Sequence, residues 1–160
     1  MPDLDDLDLR ILDLVQDDAD QSGEALADAV GLSASAVQRR VARLKRDGII
    51  EKVVALVEPR SVGHTVTVLV EVEIDNERRS ALEGFQRWVV EAPEVQSCWF
   101  VTGDADYALL VCTRDLDGYN AFIERLMTEQ PVVRKYKSLI ALKTVKSGLK
   151  VPVRHWDGRR

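Results

Sequence analysis

The chain has 160 residues, enough for one ordinary domain or two small ones, and its 46% apolar and 31% charged content is that of a soluble globular protein. No apolar run approaches the length needed to span a bilayer, and the acidic start lacks a secretory signal, so a cytoplasmic protein without a membrane partner is expected. The net charge of −5 speaks against nucleic acid as a whole-chain property, yet it is segregated: Arg39–Arg46 holds five cations and no acid, while the acids of the N-terminal part lie mainly before Asp28.

In chain order, Asp3 is placed to cap a helix from Leu4, with Leu4, Leu7, Ile11, Leu14 and Val15 on one face and Asp8, Asp13 and Asp17 off it, in water. Ser22 caps a short second helix whose inner face is Ala25, Leu26, Ala29 and Val30. Gly31 supplies the left-handed turn, Leu32 re-enters the core, and Ser33 caps a third helix, Ala34–Asp47, anchored by Val37, Val41 and Leu44. Two helices joined by a tight glycine turn, the second basic, make a helix-turn-helix signature. A bare basic helix is more often a solvated face, but the glycine turn before it and the β-prone run after it favour DNA. Ser33, Ser35, Ala36, Gln38, Arg39, Arg40, Arg43 and Arg46 are the expected DNA contacts: Ser and Gln bond base edges, small residues permit groove entry, and Arg reads guanine or clamps phosphate. Ile49–Val57 contains two β-prone runs around Glu51-Lys52, which predicts a wing hairpin with Lys52 near its tip, ended by Pro59.

Thr65–Ile74 alternates with a period of two and predicts a strand. Arg78–Glu91 returns to helical spacing, with Leu82, Phe85 and Val89 inward. Strands Val95–Thr102 and Tyr107–Thr113 flank the turn Gly103–Asp106, and Asp115 caps a helix burying Tyr119, Phe122, Ile123, Leu126 and Met127. Val133–Val145 closes the unit. The order βαββαβ predicts a ferredoxin-like antiparallel sheet with both helices on one face. Its other face would carry Leu69, Trp99 or Phe100, and Leu139 or Ile140, an incentive to pair with a second copy. The expected α+β organisation is a winged helix-turn-helix domain over 1–59, a linker over 60–63, a βαββαβ effector-binding and oligomerisation domain over 64–147, and a tail over 148–160 of unassigned role.

The segments Leu4-Asp5-Asp6-Leu7-Asp8-Leu9-Arg10-Ile11-Leu12, Gly31-Leu32-Ser33, Val37–Leu44, Gly48-Ile49-Ile50, Val101–Tyr107 and Val145-Lys146, in that order, resemble the Lrp/AsnC (feast/famine) family of transcriptional regulators. The resemblance implies a RAM/ACT-like second domain, a dimer assembling to octamers, double-stranded DNA as partner and an amino acid as effector; no cofactor or metal is expected from the residues. It places the effector between subunits, its α-amino and α-carboxylate groups gripped by the loop matching Thr102, Gly103, Asp104 and Asp106. Tyr107, Leu109 and Asp115 continue that region, and Leu139, Ile140, Ala141 and Thr144 of the last strand contribute from the same or a neighbouring subunit. Backbone amides beside glycine suit a carboxylate and Asp suits an ammonium, although a tight turn with wet acids accounts for the same residues.

Other readings carry less. An enzyme needs a clustered nucleophile and base or a metal set, and His64 and His155 have no motif partner, while Asp104 and Asp106 make an incomplete cation site. Cys98 and Cys112 are too few for a disulfide framework or zinc site; they lie on strands that the hairpin pairs, which leaves a thiol sensor conceivable. A DNA-compacting architectural protein, or an amino-acid-binding module without operator specificity, is the alternative to a sequence-specific regulator.

Overall fold

The computed structural model describes residues 3–75 and 79–153, which divide into two compact units. The first comprises residues up to Ala55 together with those from Lys146 onward, and the second runs from Leu56 to Val145. His155, Trp156 and the tail arginines fall outside the described residues.

The first unit is built on helices α1 (Asp6–Asp17), α2 (Gly23–Val30) and α3 (Ala34–Arg46). The cap of α1 is Asp5 rather than Asp3, because Asp5 and Asp8 form a reciprocal box: each carboxylate accepts from the other residue's backbone N–H, at 2.8 and 3.1 Å. Ser22 and Ser33 cap α2 and α3 as the sequence predicts. Gly31, at φ 72°, closes α2 in the left-handed region that side chains avoid. Arg10 of α1 donates to the Ala29 carbonyl at 2.8 Å, giving the end of α2 the cation its own last turn lacks. Ile11, Leu12, Leu26, Ala27, Val30, Val37 and Leu44 form the buried core.

The wing hairpin does not form. The amides of Ile49 and Ile50 both donate to the Leu44 carbonyl, so the first β-prone run is consumed in closing α3 and joins the helical core. Glu51–Glu58 is left exposed without a strand partner among the described residues, and Lys52 tops no turn. A short 3-10 turn, Pro59–Val62, follows.

The chain returns to this unit after its last strand. The Gln16 side-chain amide pairs with the main chain of Val151 in both directions, at 2.7 and 3.1 Å, and Lys150 bridges Asp13 and Asp17 at 3.0 and 2.6 Å. Val153 packs against the helical core. Helix α1 ends in acids and has no basic residue in its last turn, which opposes the helix dipole; Lys150 supplies the missing cation from 133 residues away.

In the second unit, strands β1 (Val66–Ile74), β2 (Val95–Phe100), β3 (Tyr107–Thr113) and β4 (Val133–Ile140) form one antiparallel sheet in the order β2-β3-β1-β4. Helices α4 (Arg79–Glu91) and α5 (Leu116–Glu129) supply Phe85, Val89, Tyr119, Phe122, Ile123 and Leu126 to a core shared with Val68, Val70, Val72, Tyr107, Leu109 and Val111. This is the ferredoxin-like arrangement. Three details differ from expectation: β2 and β4 stop at Phe100 and Ile140, and Met127 is 38% exposed.

Register settles which side chains occupy the uncovered face. Leu110, Leu69 and Leu139 lie side by side across three strands, and Trp99 stands in the next row opposite Ala108. Phe100 instead pairs with Tyr107 and packs edge-on against it, 5.3 Å between ring centres, while Ile140 shares the parity of buried Val68. The same parity separates the thiols. Cys98 opposes Leu109 and packs on the helix-facing core, whereas Cys112 opposes Thr67 on the other face, so they are not the adjacent pair a disulfide sensor needs.

Candidate nucleic-acid interface and effector loop

Helix α3 turns Val37 and Leu44 into the core and leaves Ser35, Gln38, Arg39, Ala42, Lys45 and Arg46 exposed. At 100° per residue, Ser35, Arg39, Ala42 and Arg46 form the row opposite the core, with Gln38 and Lys45 flanking it on one side. Ala42 keeps the surface low in the middle of that row. Ala36 is half-buried, and the Ser33 hydroxyl accepts the Ala36 N–H at 3.3 Å, so its first duty is to the helix end. Lys45 was not among the residues the sequence singled out, although the helical repeat from Arg39 and Ala42 reaches it.

Arg40 and Arg43 lie on the other flank, and both are engaged. Arg40 donates to both carboxylate oxygens of Asp5, at 2.8 and 2.9 Å, and to Asp8 at 2.7 Å, while Arg43 donates to the second oxygen of Asp8. Asp8, expected in water, is 1% exposed. Burial alone would raise its carboxyl, but hydrogen bonds from Arg43 and Arg40 outweigh it and hold the group below the usual carboxylate range. Both guanidiniums are pushed up in turn, first by the hydrogen bond to Asp8. Stripping a buried carboxylate of its cations costs about 3–5 kcal/mol, so Asp8 fixes α3 against α1.

In the second unit the hairpin loop holds Thr102, Gly103 and Asp104 exposed, with Gly103 at φ 121°, where other residues are strained. Asp106 is committed to the fold: its amide donates to the Val72 carbonyl at 2.9 Å, and its carboxylate accepts the Ile74 N–H at 2.8 Å, sealing the end of β1. Tyr107 and Leu109 sit in the helix-facing core, and the Tyr107 hydroxyl accepts from Gln86 at 2.8 Å. Asp115 caps α5 by accepting the Gly118 N–H at 2.7 Å.

These residues are not gathered in one place. The loop meets β1 at Val72 and Ile74, whereas Ala141 bonds to Thr67 and the Asp115 corner adjoins Thr65. The five residue steps from Thr67 to Val72 separate the two groups by about 16 Å along the strand. Leu139, Ala141 and Thr144 are exposed at the far end. Within one copy the residues expected to hold an effector therefore fall into separate groups along β1.

Comparison with known proteins gives a consistent picture. A family model described as "Winged helix-turn-helix DNA-binding" matches residues 4–51, and one described as "Lrp/AsnC ligand binding domain" matches residues 67–151. An uncharacterized HTH-type transcriptional regulator of Haemophilus influenzae is 41% identical over 147 residues, covering 92% of this chain and 88% of that one. The Bkd operon transcriptional regulator of Pseudomonas aeruginosa is 39% identical over 145 residues, 91% and 95% of the two chains. Among solved structures, a transcriptional regulator from Neisseria meningitidis in complex with L-Met superposes with a TM-score of 0.91 at 30% identity, over 96% of this chain and 99% of that one.

Proposed function

The chain belongs to the Lrp/AsnC family of DNA-binding transcriptional regulators, and on that premise we propose that α3 reads operator DNA while the sheet unit senses an amino acid and assembles copies. The observation that carries this reading is the outward row Ser35, Arg39, Ala42 and Arg46, flanked by Gln38 and Lys45, on a helix fixed from behind by its core face. Arg39 and Arg46 meet phosphate or guanine, and Ser35 and Gln38 meet base edges. The leucine row Leu110, Leu69 and Leu139 with Trp99 on the open face is the dimer surface, covered by a second copy and leading on to octamers. Two-fold pairing then presents two reading helices to a two-fold operator and brings the loop of one copy towards the far-end residues of another. Thr102, Gly103 and Asp104 hold the polar head of the amino acid there. The work is done in the cytoplasm and is regulatory rather than catalytic.

Arg39→Ala is expected to weaken binding to a selected operator by about 1–3 kcal/mol at stated salt, with relaxed preference over random DNA if the contact is to a base. Unchanged affinity would remove α3 from the interface. A thermal-shift screen of the proteinogenic amino acids, run on wild type and Gly103→Val, tests the other half. One ligand should raise the wild-type midpoint and leave the variant's where it was. Equal shifts in both would move the pocket elsewhere.

A further inference from the structure

We propose that Asp8, with Asp5, is a specificity-setting latch: by neutralising Arg40 and Arg43 it keeps two of the five cations of α3 from acting as sequence-blind phosphate clamps. The inference rests on α3 being the reading helix, and its test is arranged to separate the two ideas.

Four groups make the latch. Two carboxylates face two guanidiniums, with every contact shorter than 3 Å, so the quartet carries no net charge. Its centre is a carboxylate side chain 1% exposed, while the two arginine side chains retain 26% and 36% exposure on the flank of the helix. Arg40 and Arg43 are thus near enough to solvent to reach a phosphate, yet doing so would strand Asp8 as a buried, unpaired anion. That asymmetry holds them in place. Among the described residues the remaining cations, Arg39, Lys45 and Arg46, have no buried acid: Arg46 meets Asp47, which is itself 35% exposed.

The consequence concerns discrimination. Phosphate contacts strengthen binding to any duplex, whereas base-edge contacts strengthen binding to one. A reading helix with five free cations would hold random DNA tightly and lower the ratio of specific to non-specific affinity. With two neutralised, the electrostatic share of binding shrinks while the outward row keeps its contacts. Asp8 is therefore a positioning residue that acts on DNA through Arg40 and Arg43 without touching it.

The measurement is the dependence of random-duplex affinity on salt, using the full-length protein, where each phosphate neutralised adds about 0.9 to the slope of log affinity against log salt. Asp8→Asn is expected to steepen the slope by about 0.9 per reading helix and to lower the ratio of operator to random affinity. Between 50 and 200 mM salt this amounts to about a 3.5-fold greater loss of affinity than wild type shows. The charge-balanced Asp8→Asn/Arg43→Gln protein should return to the wild-type slope, a recovery that a purely structural role for Asp8 does not produce. If Asp8→Asn fails to fold, Asp5→Asn serves instead: asparagine caps a helix as well as aspartate does, and a smaller steepening is expected. Arg39→Gln, run alongside, should flatten the slope by about 0.9. If it does while the Asp8 and Asp5 variants leave the slope at or below wild type, the latch is refuted and the reading helix stands. If Arg39→Gln changes nothing, α3 is not the reader and the latch falls with that reading.

Discussion

Among the described residues the sheet unit buries fifteen apolar side chains in its core, and the helical unit buries seven. The helical unit makes up the difference with polar devices: the Asp5–Asp8 box, two serine caps, Arg10 on the end of α2, the Asp8 quartet and the returning segment at Lys150. In the sheet unit, by contrast, ion pairs lie outside the core. Glu71 and Glu73 on the open face meet Lys137, Lys135 and Arg134, and Glu94 meets Arg125, while the core beneath is aromatic and aliphatic. A small unit cannot bury enough apolar area to dispense with charge, so its stability should follow pH and salt more closely than its neighbour's.

The largest effect that would sharpen this contrast is apolar. Phe122→Ala removes a ring 1% exposed that packs against Trp88 at 5.8 Å, and it should destabilise the sheet unit by about 3–5 kcal/mol in denaturant unfolding. Amide exchange in α1–α3 should be far less affected. Next comes acid. The Asp8 carboxyl lies lower in the folded protein than in the unfolded chain, so its contribution is complete above the ordinary aspartate range and is lost as pH falls through the depressed folded value. Below about pH 4 the helical unit should therefore open first, read by hydrogen exchange at α1 and α3. Simultaneous loss of both units would break the contrast. The smallest effects are at exposed lysines. Lys150→Glu should quicken exchange in the last turn of α1 by reversing the charge beside Asp13 and Asp17, whereas Lys137→Ala, which removes an exposed pair with Glu71, should shift stability by no more than about 0.5 kcal/mol.

Local chemistry made much of this readable from residues alone. Serine before an apolar period, glycine after one, and strict alternation in Val66–Ile74 each name their element, and Ser22, Ser33, Gly31 and Asp115 occupy the places such signals predict. What stayed hidden depended on partners distant in sequence. Asp8 lies off the apolar stripe of α1 and reads as wet until Arg40 and Arg43, more than thirty residues on, are brought against it. The hairpin expected over Ile49–Val57 competes with the closure of α3, and the helix end wins because the Leu44 carbonyl takes both isoleucine amides. Tyr107 belongs by parity with Leu109 and Val111, a period-two signal that was available but was overshadowed by the adjacent loop. Nothing near Lys150 announces its destination.

That destination bears on how the protein is made. The ribosome delivers α1 to α3 first, then the whole of Leu56–Val145, and only afterwards the residues that dock on Asp13, Gln16 and Asp17. At about 5–20 residues per second, some 7–27 s pass between the emergence of α1 and the arrival of its clasp 133 residues later. The DNA-binding unit is thus synthesised early and completed late, and a nascent chain stalled within the sheet unit would carry it unfastened.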